Sequence, residues 1–146
     1  MKLFFDSSSL VKFFHEEEGT PKVSELILSK ENQIWISELA RIEFLSAVYR
    51  RFRNKEIDEE KLNSAIAGFE DQIDGFNIEP LGNAVAKEAE LLIRQYGKTH
   101  GLRTLDAIQL GTFSLISENG WSFVASDENL CNVAILIGYK AINPLV

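Results

Sequence analysis

The chain has one cysteine, Cys131, and two histidines, His15 and His100. A lone thiol supports neither a disulfide framework nor a thiolate zinc site. Within Cys131-Asn132-Val133-Ala134-Ile135-Leu136 it reads as a small buried helical side chain. Long hydrophobic runs are also missing, and the stretch Val133 to Ile137 is far too short to span a bilayer. At the amino end, Met1-Lys2-Leu3-Phe4-Phe5 meets Asp6 too soon for a signal peptide. A soluble cytoplasmic protein with no membrane contact is expected. No glycine-rich phosphate loop and no serine nucleophile elbow occurs. Prolines number three, and no linker, repeat or low-complexity segment breaks the 146 residues. One domain over residues 1–146 is therefore expected, long enough to bury about 70% of its unfolded surface.

Charge is not scarce, but its balance is negative: the formal net charge is −7. That opposes binding of a polyanion. Two divalent ions held by carboxylates would bring it to about −3 and invert the sign locally. Positive charge is concentrated at Arg50, Arg51, Arg53 and Lys55, interleaved with Tyr49 and Phe52. Such a run suits a phosphate-binding surface, and equally a solvated helix end near the negative dipole pole.

Apolar periodicity organises the rest. Strands are expected at Lys2 to Phe5, Gln33 to Ile36, Phe76 to Leu81, Trp121 to Ser126 and Lys140 to Asn143. Helices are expected at Ser8 to Glu17, Thr20 to Lys30, Ser37 to Asn54, from Asp58 to Gly75, from Asn83 through Ile93, Thr104 to Glu118, and Glu128 to Ile137. A loop around Gly97 and Gly101 is expected to hold His100 and Arg103 at the surface. His15 and the run Glu16-Glu17-Glu18 read as a solvated face. Strands alternate with helices and are apolar on both sides, which predicts an α/β fold: a mainly parallel sheet of four or five strands, with helices on both faces.

In such a sheet ligands bind beyond the carboxyl ends of the strands. Two strands end in aspartate, Asp6 and Asp127, and right-handed crossovers bring both to one rim. Either could serve only as a helix cap. Asp106 heads a stripe with Leu110 and Phe113, so it should be partly buried and in need of a partner or cation. It also suits the positive end of a helix dipole. Glu43 lies inside an apolar helix, and its strip continues through Ser46 to Arg50. That face offers an acid and then a cation, although a solvent-facing glutamate is the plainer explanation. An all-oxygen cluster selects hard ions, Mg²⁺ or Mn²⁺, which promote displacement at phosphorus.

These segments resemble those of the PIN-domain family, over essentially the whole chain. Phe5-Asp6-Ser7-Ser8-Ser9-Leu10-Val11-Lys12 is similar to its opening strand and helix, and Ser37-Glu38-Leu39-Ala40-Arg41-Ile42-Glu43-Phe44-Leu45-Ser46-Ala47 to the segment carrying its glutamate. Leu102-Arg103-Thr104-Leu105-Asp106-Ala107-Ile108-Gln109-Leu110 and Phe123-Val124-Ala125-Ser126-Asp127 are similar to its third and fourth acidic motifs. The branch it most resembles is the VapC-like toxins of toxin–antitoxin pairs. The resemblance implies Mg²⁺- or Mn²⁺-dependent RNA cleavage, a homodimer and a cognate antitoxin whose tail fills the active-site groove. It implies Asp6, Glu43, Asp106 and Asp127 as catalytic metal ligands, with Ser7 or Ser8 and Thr104 orienting the carboxylates. Arg50 and Lys12 are the candidate contacts for substrate phosphate. Relatives often carry a basic residue after the fourth aspartate; here Glu128 and Asn129 follow, which removes one phosphate contact.

The alternatives are a non-catalytic PIN-like interaction module and a phosphotransfer domain. A haloacid-type phosphatase needs a second aspartate two places after the first, where this chain has Ser8. A receiver needs paired acids before its first loop and a lysine near the end of its last strand, and neither is evident.

Overall fold

The computed structural model describes residues 1–146. Five strands, β1 (Lys2–Phe5), β2 (Gln33–Ser37), β3 (Asn77–Glu79), β4 (Ser122–Val124) and β5 (Lys140–Ile142), form one sheet in the order β3-β2-β1-β4-β5. Every pairing is parallel. Seven helices connect them: α1 (Ser7–Phe14), α2 (Thr20–Leu28), α3 (Leu39–Arg53), α4 (Glu59–Gln72), α5 (Asn83–His100), α6 (Thr104–Ile116) and α7 (Glu128–Ile137). No helix is long and apolar enough to cross a membrane.

Strand side chains alternate between two separate cores. Leu3 and Phe5 of β1 join Ile34 and Ile36 of β2 in a cluster roofed by α1 to α4. Phe4 turns the other way, with Phe123, and packs under Ala89, Leu110, Phe113 and Leu130 of α5 to α7. Burial on both faces explains why these strands lack polar alternation.

Two packing details set the helices that carry the candidate site. Phe14, Phe44 and Phe69 form an aromatic knot, with centroids 5.4, 5.4 and 4.2 Å apart, that pins α3 against α1 and α4. Each such ring contributes about 1.5–3 kcal/mol by leaving water, and Phe44 fixes the roll of α3 and so the direction of its neighbour Glu43. On the other side Gly111 lets α6 lie close to α5; a Cβ there would stand 3.2 Å from the backbone nitrogen of Ala89.

Most expected elements are present, with ends shifted by a few residues. The loop expected around Gly97 is absent: α5 continues through it to His100, where Gly101 at φ 64° closes the helix by donating its N–H to the Gly97 carbonyl. Gly97 sits inside the helix rather than at a turn, and a Cβ there would stand 3.2 Å from the Ile93 side chain. The expected first helix stops early, at Phe14. Glu17, expected in solvent, is partly buried and binds Arg51 at 2.7 Å and Lys12 at 2.8 Å.

Candidate metal and phosphate site

The sheet order places a switch point at β1. From β1 the chain winds outward through β2 and β3, then returns to add β4 and β5 on the opposite flank. A crevice opens where the winding reverses, beyond the carboxyl ends of β1 and β4. Asp6 follows β1 and Asp127 lies just beyond β4. Both also cap helices: Asp6 Oδ1 accepts from the Ser9 N–H at 3.2 Å, and Asp127 Oδ1 from the Leu130 N–H at 3.0 Å. Capping and site formation coincide, because in each residue one carboxylate oxygen orients the group and the other stays free.

Asp6 is 5% exposed, and no lysine or arginine pairs with it. Burial raises its pKa to about 7, against the hydrogen bonds from Ser8 and Ser9 and with the added repulsion of Asp106 and Glu43. Asp106, half-buried in the first turn of α6, is also raised, first by burial and then by Asp127; Arg103 pulls the other way. The four acids therefore share one electrostatic neighbourhood, as their sequence positions predict. Beneath them Cys131 is buried as expected. Its Sγ donates to the Ala125 carbonyl at 3.2 Å, and burial pushes the thiol up to about 11.

Hydrogen bonds hold the rim together. Ser8 Oγ donates to Asp6 Oδ1 at 2.7 Å and accepts from the Ser126 N–H at 3.1 Å, tying the tip of β4 to the first aspartate. Ser7 Oγ donates to Glu43 Oε1 at 2.7 Å. Both serines thus orient carboxylates. Thr104 lines the pocket but makes no hydrogen bond to any of the four acids.

A pocket of about 540 Å³ opens over this rim, lined by Ser7, Ser8, Glu43, Arg50, Arg103 and Asp106 among others. Arg50 reaches it as the α3 strip predicts. Lys12 does not: its side chain is buried and its Nζ is held by Glu17 at 2.8 Å, so its assignment to substrate phosphate is withdrawn. The second cation of the pocket is Arg103, exposed in the short loop before α6 as expected, although nothing in the sequence signalled that it lines the pocket.

Sequence reasoning also missed Gln109. It is 2% exposed, and its Nε2 donates to Glu43 Oε1 at 2.8 Å and to Ser7 Oγ at 3.1 Å. The available signal was an amide one turn beyond Asp106 in a helix otherwise made of apolar and small residues. Ser9 was overlooked as well; its Oγ meets Ser126 Oγ at 2.9 Å.

As the side chains stand, no three acidic, histidine or cysteine groups close around a common point. The donor set still fits a hard, hydrated cation. All its donors are oxygen, a buried carboxylate lacks a counter-ion, and Mg²⁺ commonly keeps several waters while one or two carboxylates hold it. What such a rim can do is bind a divalent ion with its acids and an anion with Arg50 and Arg103.

A model of the PIN domain matches residues 3–136. No curated protein matches the sequence. Among solved structures, FitAcB from Neisseria gonorrhoeae is similar, with a TM-score of 0.69 at 19% identity over 97% of each chain. A DNA-bound VapBC from Salmonella typhimurium gives 0.66 at 14% identity, over 99% of this chain and 98% of that one. A toxin–antitoxin complex from Klebsiella pneumoniae gives 0.62 at 17% identity over 97% of each. At these identities the structures speak for the fold, and it is the family model, covering nearly all of the sequence, that assigns membership: the chain belongs to the PIN-domain family.

Proposed function

We propose that this protein is a divalent-metal-dependent ribonuclease, the VapC-like toxin of a toxin–antitoxin pair. The observation that carries the reading is Asp6, a carboxylate buried without a cation at a switch-point crevice, with Glu43 and Asp106 near enough to repel its charge and Asp127 acting on Asp106 in turn. Keeping such a group has a stability cost unless a ligand neutralises it.

Asp6, Glu43, Asp106 and Asp127 would hold Mg²⁺ or Mn²⁺. The ion, when bound, supplies charge neutralisation at phosphorus and an activated water for hydrolysis of the phosphodiester. The chain's own groups do the rest. Ser8 holds Asp6, and Ser7 holds Glu43, so neither carboxylate must reorganise during the reaction. Arg50 and Arg103 flank the pocket and offer planar, multidentate donors to a phosphate, locally offsetting the net charge of −7. Burial and Asp127 raise the pKa of Asp106, and a bound cation would pull it back down.

The partner side of the reading draws on the neighbouring folds. The Klebsiella pneumoniae structure is a toxin–antitoxin complex, and the Salmonella typhimurium VapBC is bound to DNA. By analogy this chain would act as a homodimer of single domains in the cytoplasm, held silent by an antitoxin that occupies the groove.

The test is cleavage of single-stranded RNA by the purified protein with Mg²⁺, with Mn²⁺ and with chelator, beside Asp6→Asn. Cleavage that needs the ion and disappears in Asp6→Asn is the expected result. A folded wild type inert with both ions would point instead to a non-catalytic interaction module of the same fold.

A further inference from the structure

One interior side chain near the rim has no part in the scheme above. Gln109 lies on α6, one turn beyond Asp106, and is almost wholly enclosed. Its Nε2, Ser7 Oγ and Glu43 Oε1 form a closed triangle with edges of 2.7, 2.8 and 3.1 Å, which joins α6, α1 and α3. Glu43 Oε1 receives both donors, and no protein donor reaches Oε2.

The other end of the amide is poorly served. Gln109 Oε1 is buried and has no hydrogen-bond partner. Turning the amide over does not help, because the oxygen would then face the Glu43 carboxylate. An interior acceptor left without a donor costs about 1–3 kcal/mol. An apolar side chain of the same length would avoid that cost while filling the same space. Packing therefore does not explain a glutamine here, and the donor end does.

Resting on the nuclease reading, we propose that Gln109 is a positioning residue for metal-dependent cleavage. With Ser7 it clamps Glu43 Oε1, so that Glu43 presents Oε2 alone to the pocket in a fixed direction. Gln109 itself touches neither substrate nor ion. Orientation of this kind acts on ligand affinity, and loss of a group that hydrogen-bonds a metal ligand weakens binding roughly 10- to 100-fold.

The decisive variant is Gln109→Met, which keeps length and removes the donor. Three measurements are made beside wild type: Mn²⁺ affinity by calorimetry on RNA-free protein, thermal unfolding, and steady-state RNA cleavage. Expected are an unfolding temperature within a few degrees of wild type, Mn²⁺ binding weaker by roughly 10- to 100-fold, and a fall in kcat with KM for RNA little changed. A crystal structure of the variant should show the Glu43 carboxylate turned from its wild-type orientation, with Ser7 as its one remaining donor. Gln109→Asn, which keeps the amide but withdraws it by one methylene, carries the same expectation and replaces the methionine variant if that does not fold. Wild-type Mn²⁺ affinity and kcat in a folded variant would overturn the role of Gln109 while leaving the nuclease reading intact. A wild type that neither binds Mn²⁺ nor cleaves RNA would sink that reading and this role together.

Discussion

Glu43 and Arg50 stand on one face of α3, seven residues and about two turns apart, and both line the pocket that Asp106 also borders. Acid and cation thus sit about 10 Å apart along one rigid element. For a bound polynucleotide this spacing would place one phosphate at the acids and a neighbouring one at the guanidinium. Arg50→Ala is expected to weaken RNA binding and to make its dependence on salt shallower by about one unit of logarithmic slope. Titrations at several salt concentrations measure both. An unchanged slope would remove Arg50 from the contact surface.

The raised pKa of Asp6 makes a prediction about stability in the metal-free protein. In the unfolded chain the group ionises near 3.8, and in the folded protein near 7. The proton therefore binds the folded state more tightly. Its contribution to stability is full below about pH 4, declines as pH rises towards 7, and is gone above it. The swing amounts to roughly 3–5 kcal/mol. Asp6→Asn, which retains an acceptor for Ser8 and Ser9, should be more stable than wild type at pH 8 and similar to it at pH 4. Denaturant unfolding across that range checks it, and parallel pH profiles for the two proteins would contradict it.

Added Mn²⁺ should replace the missing proton. At pH 8 it is expected to raise the unfolding temperature of wild type, with chelator reversing the gain, and to do far less at pH 5, where protons compete for the same oxygens. Asp6→Asn should respond weakly at both. Differential scanning fluorimetry with and without Mn²⁺ is sufficient. Equal shifts at pH 5 and pH 8 would place the ion elsewhere.

Lys12 offers a control. Its ion pair with Glu17, and that of Arg51 with the same carboxylate, fasten the end of α1 to α3. Lys12→Met should destabilise the fold by about 1–2 kcal/mol, less than for a fully orphaned buried charge because Arg51 still holds Glu17. Cleavage by the folded fraction should be unaltered. A selective rise in KM for RNA would restore Lys12 to the substrate surface.

What could be read from the chain was whatever local pattern encodes. Double-sided apolar strands announced a parallel sheet, and Asp6 and Asp127 at strand ends announced a shared rim. Asp106 heads its stripe above fully buried Leu110 and almost fully buried Phe113, as periodicity predicts. What stayed hidden depends on partners far along the chain. Gln109 meets Ser7 and Glu43 from 102 and 66 residues away, and nothing in its immediate neighbours signals either contact. Lys12 was misassigned because its partner Glu17 lies past the end of α1, where the chain doubles back. Gly97 misled for another reason: a glycine inside a helix looks the same in sequence as one at a turn, and only the structure shows α5 running on through it.

The central place of β1 has a consequence for synthesis. One flank is sealed by β2, some thirty residues downstream, but the other waits for β4, whose Ser122 pairs with Leu3 and whose Val124 carbonyl takes the N–H of Asp6. A chain translated only as far as Gly120 therefore carries Asp6, Glu43 and Asp106 without the strand that brackets them. Chains that stop short of β4 carry an open edge in place of a crevice, and whatever chemistry the acids perform waits until β4 has joined β1.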